Sequence, residues 1–388
     1  MKITMLPIGG TIHYELQLVN ALRQIGIEID IVGNEIAAKH PLCNQPGIHF
    51  INIRAVHDPG TSPFIKALKL IVFYIRLMIY ALFTKTKIFH IQWENKLHFF
   101  DRTVLILYYK ILGKRIVWTA HNINGEERDN VDTVSNRISL KILYALVDKI
   151  IVHTNKMKKE LIEQYFVSSE KISVISMGII TPFIRNHITP AEARKQLGID
   201  ITRKVLLFFG GILHYKGVDI LIDSFEMLLK EDPEYLLVVA GNPRGTSDYV
   251  QSIRKDLGHK AISDHVIEKI EYIAEEDIEK YFLAADCLVM PYRKIFQSAV
   301  LFMALGFGLP VLATDIGSFR DYVKDGRTGF LIASPDSQAV TDAIRTYYQS
   351  NLFVNLEIKR PIIRRWTRMN YSWTKVAKET KALYDSLV

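Results

Sequence analysis

Strand-length apolar runs alternate with helical stretches from one end of this chain to the other, and that alternation confines it to α/β architecture with parallel sheets. The first series of strands is expected over 2–7, 28–32, 48–53, 88–92, 115–120, 149–152 and 171–175. Helices are expected over 13–24, 64–83 and 136–144, with another behind the cap of Thr154. A second series starts at Lys204, with strands over 204–209, 235–240, 266–272, 287–290, 310–313 and 329–332 and helices over 218–229, 275–283, 298–305 and 337–348. A chain of 388 residues is too long for one ordinary core. Two Rossmann-like domains, 1–190 and 200–365, facing across a cleft, are the simplest reading. A polar linker around Pro190, including a short helix, joins them, and a tail helix over 371–388 follows.

The net charge of +8 is unevenly placed. Residues 1–190 hold 23 Lys and Arg against 15 Asp and Glu (+8), residues 191–350 hold 18 against 23 (−5), and residues 351–388 hold 8 against 3 (+5). One half of the chain therefore suits an anionic surface and the other does not. No zinc-finger spacing, helix-turn-helix pattern or aromatic single-strand platform accompanies the charge, so nucleic acid is not the expected partner. An anionic membrane fits better. The stretch 64–83 is mostly apolar yet carries Lys66, Lys69 and Arg76. Spanning a bilayer would cost roughly 9 kcal/mol for those three charges against roughly 5 kcal/mol returned by its apolar side chains. At helical spacing Lys66, Lys69, Phe73, Arg76 and Tyr80 form a basic and aromatic stripe beside a broad apolar face, the pattern of an interfacial helix. A core helix whose charged stripe meets water would look much the same. Cys43 and Cys287 stand in unrelated contexts, which supports neither a disulfide framework nor a zinc site. The first residues run straight into a strand and a glycine turn without a signal-peptide pattern. A cytoplasmic protein, peripheral on the membrane, is expected.

Two segments could grip a phosphate. Phe208-Phe-Gly-Gly-Ile-Leu-His-Tyr-Lys-Gly217 and Gln297-Ser-Ala-Val-Leu-Phe-Met-Ala-Leu-Gly-Phe-Gly-Leu-Pro-Val311 each follow a strand-like run and open a helix. Backbone N–H groups and Lys216 would converge on an anion there. The spacing is not G-x-G-x-x-G, which argues against a nicotinamide enzyme. No acidic D-x-D pair stands at a strand end, and neither a metal nor another cofactor is called for.

The stretch Phe209 to Phe225 closely resembles the donor loop of family 4 glycosyltransferases, retaining enzymes of the GT-B fold. The resemblance extends through Leu236-Leu-Val-Val-Ala-Gly241, Ala284-Ala-Asp-Cys-Leu-Val-Met-Pro-Tyr292, Gly308-Leu-Pro-Val-Leu-Ala-Thr-Asp-Ile-Gly317 and Val323-Lys-Asp-Gly-Arg-Thr-Gly-Phe-Leu331. It implies transfer of a sugar from a UDP- or GDP-linked donor to a glycan or lipid-linked acceptor. The family's phosphate-gripping lysine falls on Lys216, but its arginine falls on Gly211, and its two glutamates fall on Ile295 and Met303. Gln297, Ser298 and the amides of Ala299 and Val300 are then expected to meet the donor, and Arg293 is a candidate to restore the lost charge. Asp321 is expected to be structural.

In the first half, Gly9 and Gly10 match the family's glycine loop near the diphosphate, and Val117-Trp-Thr-Ala-His-Asn-Ile123 matches a strand that places His121 beside the transferred sugar. The resemblance also implies that His13, Trp93 and Glu94 lie where the acceptor enters. A sugar-nucleotide-binding protein that has lost catalysis, and an epimerase of the same fold, are the alternatives that the vacant positions leave open.

Overall fold

The computed structural model describes residues 1–6, 12–34, 38–54, 62–128, 132–179, 188–259, 261–295 and 297–388. The chain divides into two compact units, one of Met1–Gly178 with Tyr371–Val388 and one of Ile179–Asn370.

The first unit is built on seven parallel strands: β1 (Lys2–Leu6), β2 (Glu28–Asn34), β3 (Ile48–Arg54), β4 (Ile88–Ile91), β5 (Arg115–Thr119), β6 (Lys149–Val152) and β7 (Ile172–Val174), in the order β3-β2-β1-β4-β5-β6-β7. Helices cover the faces of such a sheet, so the strands read as unbroken apolar runs. Ile3, Met5, Ile29, Ile31, Ile116 and Ile150 are fully buried. The helix Trp373–Asp385, entered through a Ser372 cap, packs on the helix Ile12–Gln24 of this unit. Its Trp373 ring lies 5.1 Å from that of Tyr14. A Cβ added to Gly178 would meet the Trp373 indole at 2.4 Å.

The helix Pro63–Phe83 begins at Ser62, whose hydroxyl accepts from the Ile65 amide, with Pro63 in its first turn. It buries Phe73, Tyr74, Leu77 and Ala81. The expected stripe is therefore split: Phe73 points into the core, and the Tyr80 hydroxyl turns inward to donate to Asp30 at 2.9 Å. Burying the larger aromatic rings stabilises more than burying the aliphatic side chains opposite, so the apolar face is the one turned out. Phe64, Leu68, Ile71, Ile75, Ile79, Leu82 and Phe83 are exposed, the two phenylalanines to 79% and 77%. Alongside runs the helical segment 98–111, absent from the sequence reading, with a π-turn over Asp101–Leu105. Tyr108 donates to the Met78 carbonyl at 3.0 Å, and Val104, Leu107 and Ile111 of this segment are exposed as well. Among the described residues no helix is long and apolar enough to cross a membrane.

The second unit holds six parallel strands: β8 (Lys204–Phe209), β9 (Tyr235–Ala240), β10 (Val266–Lys269), β11 (Cys287–Met290), β12 (Val311–Thr314) and β13 (Gly329–Ile332), in the order β10-β9-β8-β11-β12-β13. The helix Pro190–Leu197 carries a capping box and belongs to this unit rather than to a linker. Its buried Arg194 pairs with Asp286 at 2.8 Å and donates to the Ala284 carbonyl at 3.0 Å. Two helices that the sequence reading lacks, Ser247–Leu257 and Leu356–Tyr371, complete the unit.

Candidate functional site

In the second unit the strand order reverses between β8 and β11, and a crevice at the carboxyl ends of such a pair is where open α/β sheets bind ligands. Both segments singled out in the sequence leave the sheet here. After β8 the chain turns through Gly210 (φ +112°), makes a 3-10 turn over His214–Lys216, and enters the helix Val218–Leu229 through Gly217 (φ +67°). Only glycine fits at that last position: a Cβ would lie 2.2 Å from the Pro291 carbonyl oxygen in the loop after β11. The two loops are thus held against each other.

Lys216 is buried, and its ammonium folds back over the turn. A Cβ on Gly210 would lie 3.0 Å from Lys216 Nζ and 3.3 Å from Val300 Cγ2, so lysine, bare turn and the start of the helix Ala299–Phe307 come together. Ser298 occupies the N-cap with an extended backbone, but its hydroxyl does not bond to the helix, which leaves the first-turn amides of Ala299 and Val300 to other acceptors. Gln297 points a buried side-chain oxygen that has no partner among the described residues, while its amide nitrogen lies 3.5 Å from the Tyr322 hydroxyl. Ile295 is buried, and its carbonyl would lie 2.2 Å from a Cβ on Gly317 (φ +56°).

Arg293 does not stand free. Its guanidinium grips both oxygens of Asp219 and donates to the His214 carbonyl at 2.7 Å. Burial alone would raise the Asp219 carboxyl, but Arg293 and the Tyr249 hydroxyl hold it below the usual carboxylate range. Arg293 is therefore a brace between the two loops, its guanidinium taken up by Asp219 where the sequence offers it as a replacement for the charge missing at Gly211.

In the first unit Trp93, Glu94, His98, Arg102, His121 and Asn122 line a pocket of about 250 Å³ beyond the ends of β4 and β5. Trp93 stacks on His121 with ring centroids 4.6 Å apart. Glu94 is clamped by Arg102 Nε at 2.6 Å and by His98 Nδ1 at 2.8 Å. Burial opposes its ionisation, yet the bonds from His98 and Arg102 hold the carboxyl below its ordinary value. Gly9 and Gly10 lie outside the described residues, as does the side chain of His13. On the helix Pro63–Phe83, Lys66 and Lys69 are half-buried and Arg76 is exposed.

His121 sits in a row of hydrogen bonds that the sequence does not announce. His153 Nδ1 lies 2.9 Å from the Ile175 carbonyl, which can only accept, so that nitrogen carries the proton. Burial lowers the pKa of His153 to about 4 and that of His90 to about 3, and burial with the neighbouring imidazoles pushes His121 well down, so all three rings are neutral at physiological pH. His153 Nε2 then accepts from His121 Nδ1 at 3.2 Å. That leaves His121 Nε2 as an acceptor, 3.1 Å from the side-chain amide of Gln92. Amide oxygen and nitrogen are told apart only by their partners, and here the two imidazoles outweigh the 3.5 Å contact to Met5 Sδ: the NH2 end is assigned toward His121 and the carbonyl toward His90 Nε2, 3.0 Å away. His90 Nε2 therefore holds a proton, also directed to Thr119 Oγ1 at 2.7 Å, and its Nδ1 accepts from the Tyr384 hydroxyl at 2.5 Å. Both ring nitrogens of His121 are engaged by protein groups.

Residues 8–182 match the family model Glycosyltransferase Family 4, and residues 190–360 match Glycosyl transferases group 1. The chain is 30% identical over 219 residues to the lipopolysaccharide core biosynthesis mannosyltransferase LpsB of Rhizobium meliloti, a stretch that is 56% of this chain and 61% of that protein's length. It is 26% identical over 354 residues to a D-inositol 3-phosphate glycosyltransferase of Corynebacterium aurimucosum, covering 87% of this chain and 82% of the relative. Its fold superposes on that of Anabaena HepE, solved in complex with UDP, with a TM-score of 0.75 and 18% identity over the whole of both chains.

Proposed function

From the premise that this chain belongs to the glycosyltransferases of the GT-B fold, of family 4 type, we propose that it transfers a sugar from a nucleotide diphosphate donor held by the second unit to an acceptor received by the first. The observation that carries the donor assignment is the convergence of Lys216, the bare turn at Gly210 and the uncapped start of the helix Ala299–Phe307 at the reversal of strand order. A cation and oriented amides are what a departing diphosphate needs, because they are already in place when charge develops on its oxygens. Gln297, with its unpartnered oxygen, is placed to accept from a sugar or ribose hydroxyl.

Retention of configuration is the proposed outcome. Glu94 is held by Arg102 and His98 and Asp219 by Arg293, while Glu126 lines the pocket of the first unit and not the donor turn, so no covalent sugar intermediate is assigned. The acceptor hydroxyl attacks the anomeric carbon on the face from which the diphosphate departs. The C–O bond to phosphate breaks with its electron pair on the phosphate oxygen, which takes the acceptor's proton. Trp93 and Glu94 are the proposed acceptor residues, and His121, neutral and fixed, is the proposed sugar-facing wall of that pocket.

The acceptor is proposed to be a glycan or lipid-linked glycan, consistent with the name of the Rhizobium relative. The outward apolar face of the helix Pro63–Phe83, with Val104, Leu107 and Ile111 beside it and Lys66, Lys69 and Arg76 near it, supports peripheral contact with an anionic membrane on its cytoplasmic side. A thermal-shift screen over UDP, GDP and their sugars tests the donor reading. One nucleotide diphosphate should raise the melting temperature, and no shift with any of them at millimolar concentration would reject it.

A further inference from the structure

The glycine pair after β8 is bare at both positions, and a cationic side chain lies over each. Over Gly210 it is Lys216. Over Gly211 it is Arg244, whose Cδ, Cβ and Cγ would lie 3.4, 3.6 and 3.7 Å from a Cβ built there. Arg244 comes from the loop after β9, and backbone contacts fix that loop against the glycine turn. Gly241 (φ +146°) approaches so closely that a Cβ would meet the Gly210 carbonyl oxygen at 2.0 Å. The Ile212 amide donates to the Asn242 carbonyl at 2.9 Å, and a Cβ on Gly245 would lie 2.8 Å from the Ile212 carbonyl oxygen. The arginine stem is thereby laid across the space that a side chain at 211 would fill. Its residue is exposed, and among the described residues no carboxylate takes its guanidinium.

We infer that Arg244 is a diphosphate-binding residue, standing in from the loop after β9 for the side chain that Gly211 lacks; this rests on the donor reading given above. Lys216 Nζ and the Arg244 stem lie over adjacent residues of one turn, so an anion bound over that turn comes within reach of both cations. A diphosphate satisfies both, with the compact ammonium of Lys216 as a point charge and the planar guanidinium of Arg244 as a two-pronged donor. The bare turn lets the anion approach the backbone amides at the same time. Arg293, the nearer candidate by sequence, cannot do this while it grips Asp219.

Calorimetric titration of the full chain with UDP and GDP, and with UMP and GMP, tests the inference. Wild-type protein should bind one of the diphosphates. Arg244→Ala should bind it about 10- to 100-fold more weakly, the worth of a charge-assisted contact, while the matching monophosphate changes by less than about threefold. The double variant Gly211→Arg, Arg244→Ala moves the guanidinium to the other side of the same gap. The three atoms nearest a Cβ at 211 all belong to the Arg244 side chain, so the double variant should fold and should regain most of the lost affinity. If Arg244→Ala binds the diphosphate as tightly as wild type, or loses monophosphate to the same extent, Arg244 is not on the diphosphate and the inference falls while the donor reading stands. If wild-type protein binds neither diphosphate, the donor reading fails and this inference with it.

Discussion

Asp101 opens the π-turn of the segment 98–111 with one oxygen satisfied and the other stranded. Oδ1 accepts from the Tyr74 hydroxyl at 2.7 Å; Oδ2 is buried and has no partner among the described residues, and the same is true of Asn95 Oδ1 and the Tyr109 hydroxyl. All three residues line a small cavity of about 20 Å³, together with Leu77, Leu105 and Trp118. Burial pushes the carboxyl from 3.8 up to about 6, against the opposing bond from Tyr74 and the nearby polar groups of Asn95, which fall short of a bond to Oδ2. A carboxyl raised in the folded state binds its proton more tightly there than in the unfolded chain. Its contribution is therefore fully present below about pH 4 and is lost as pH rises through about 6. Two pKa units amount to about 3 kcal/mol of destabilisation at pH 7.5. Asp101→Asn keeps the acceptor for Tyr74 and replaces the stranded charge by an NH2 that can donate toward Asn95 Oδ1. Urea unfolding should show the variant about 1–3 kcal/mol more stable than wild type at pH 7.5 and no more stable at pH 4, with the difference growing between those limits. A variant that is less stable at pH 7.5, or whose difference from wild type does not change with pH, would refute the reasoning.

The remaining predictions concern the two sites and the outward face. Long-range proton–nitrogen NMR of histidine-labelled protein at pH 7 should find His121 and His153 protonated on Nδ1 and His90 on Nε2; a His121 ring protonated on Nε2 would break the assigned row. Gly217→Ala should cost well over the roughly 1–2 kcal/mol of a left-handed alanine, because its Cβ meets the Pro291 carbonyl, whereas Gly198→Ala, at the same φ with nothing within 4 Å, should cost only that amount. Denaturation that ranks the two alike would remove the case for the glycine lock. Leu68→Glu with Ile75→Glu should abolish flotation with phosphatidylglycerol vesicles and leave the melting temperature within a few degrees, since both side chains are about half exposed; unchanged flotation would dismiss the membrane face.

Much of the fold was legible because parallel strands buried on both faces are apolar without interruption, and the strands begin or end within a few residues of where the sequence puts them. Helices were harder to read. The helix Ser247–Leu257 is polar, and only Ile253 and Leu257 are buried, too few to show a face. The helix Leu356–Tyr371 contains Pro361, which reads as a break. The stripe on the helix Pro63–Phe83 was legible but its division between core and surface was not, because its periodicity shows that two faces exist without showing which of them the sheet takes. At the donor site the sequence brought Lys216 and Ser298 together through glycine and helix-start signals. It could not distinguish Arg293 from Arg244, since the choice depends on Asp219 capturing one of them and on the loop after β9 lying across Gly211. Nor could it see the row from His153 to Tyr384, whose members come from four separate stretches of chain.

The central claim is that this chain is an active glycosyltransferase whose donor diphosphate is held at Lys216, with Ile295 and Met303 at the positions where the resemblance implies a glutamate pair. The direct test is turnover of the nucleotide sugar that stabilises the protein, followed as release of nucleotide diphosphate by wild type and by Lys216→Ala with a lipid-linked glycan acceptor. Wild type should release nucleotide together with glycosylated product, and Lys216→Ala, still folded by its melting curve, should be slower by about two orders of magnitude or more. A folded Lys216→Ala protein that turns over like wild type, or a wild-type protein that binds the donor and never releases product or hydrolyses it, would contradict the account.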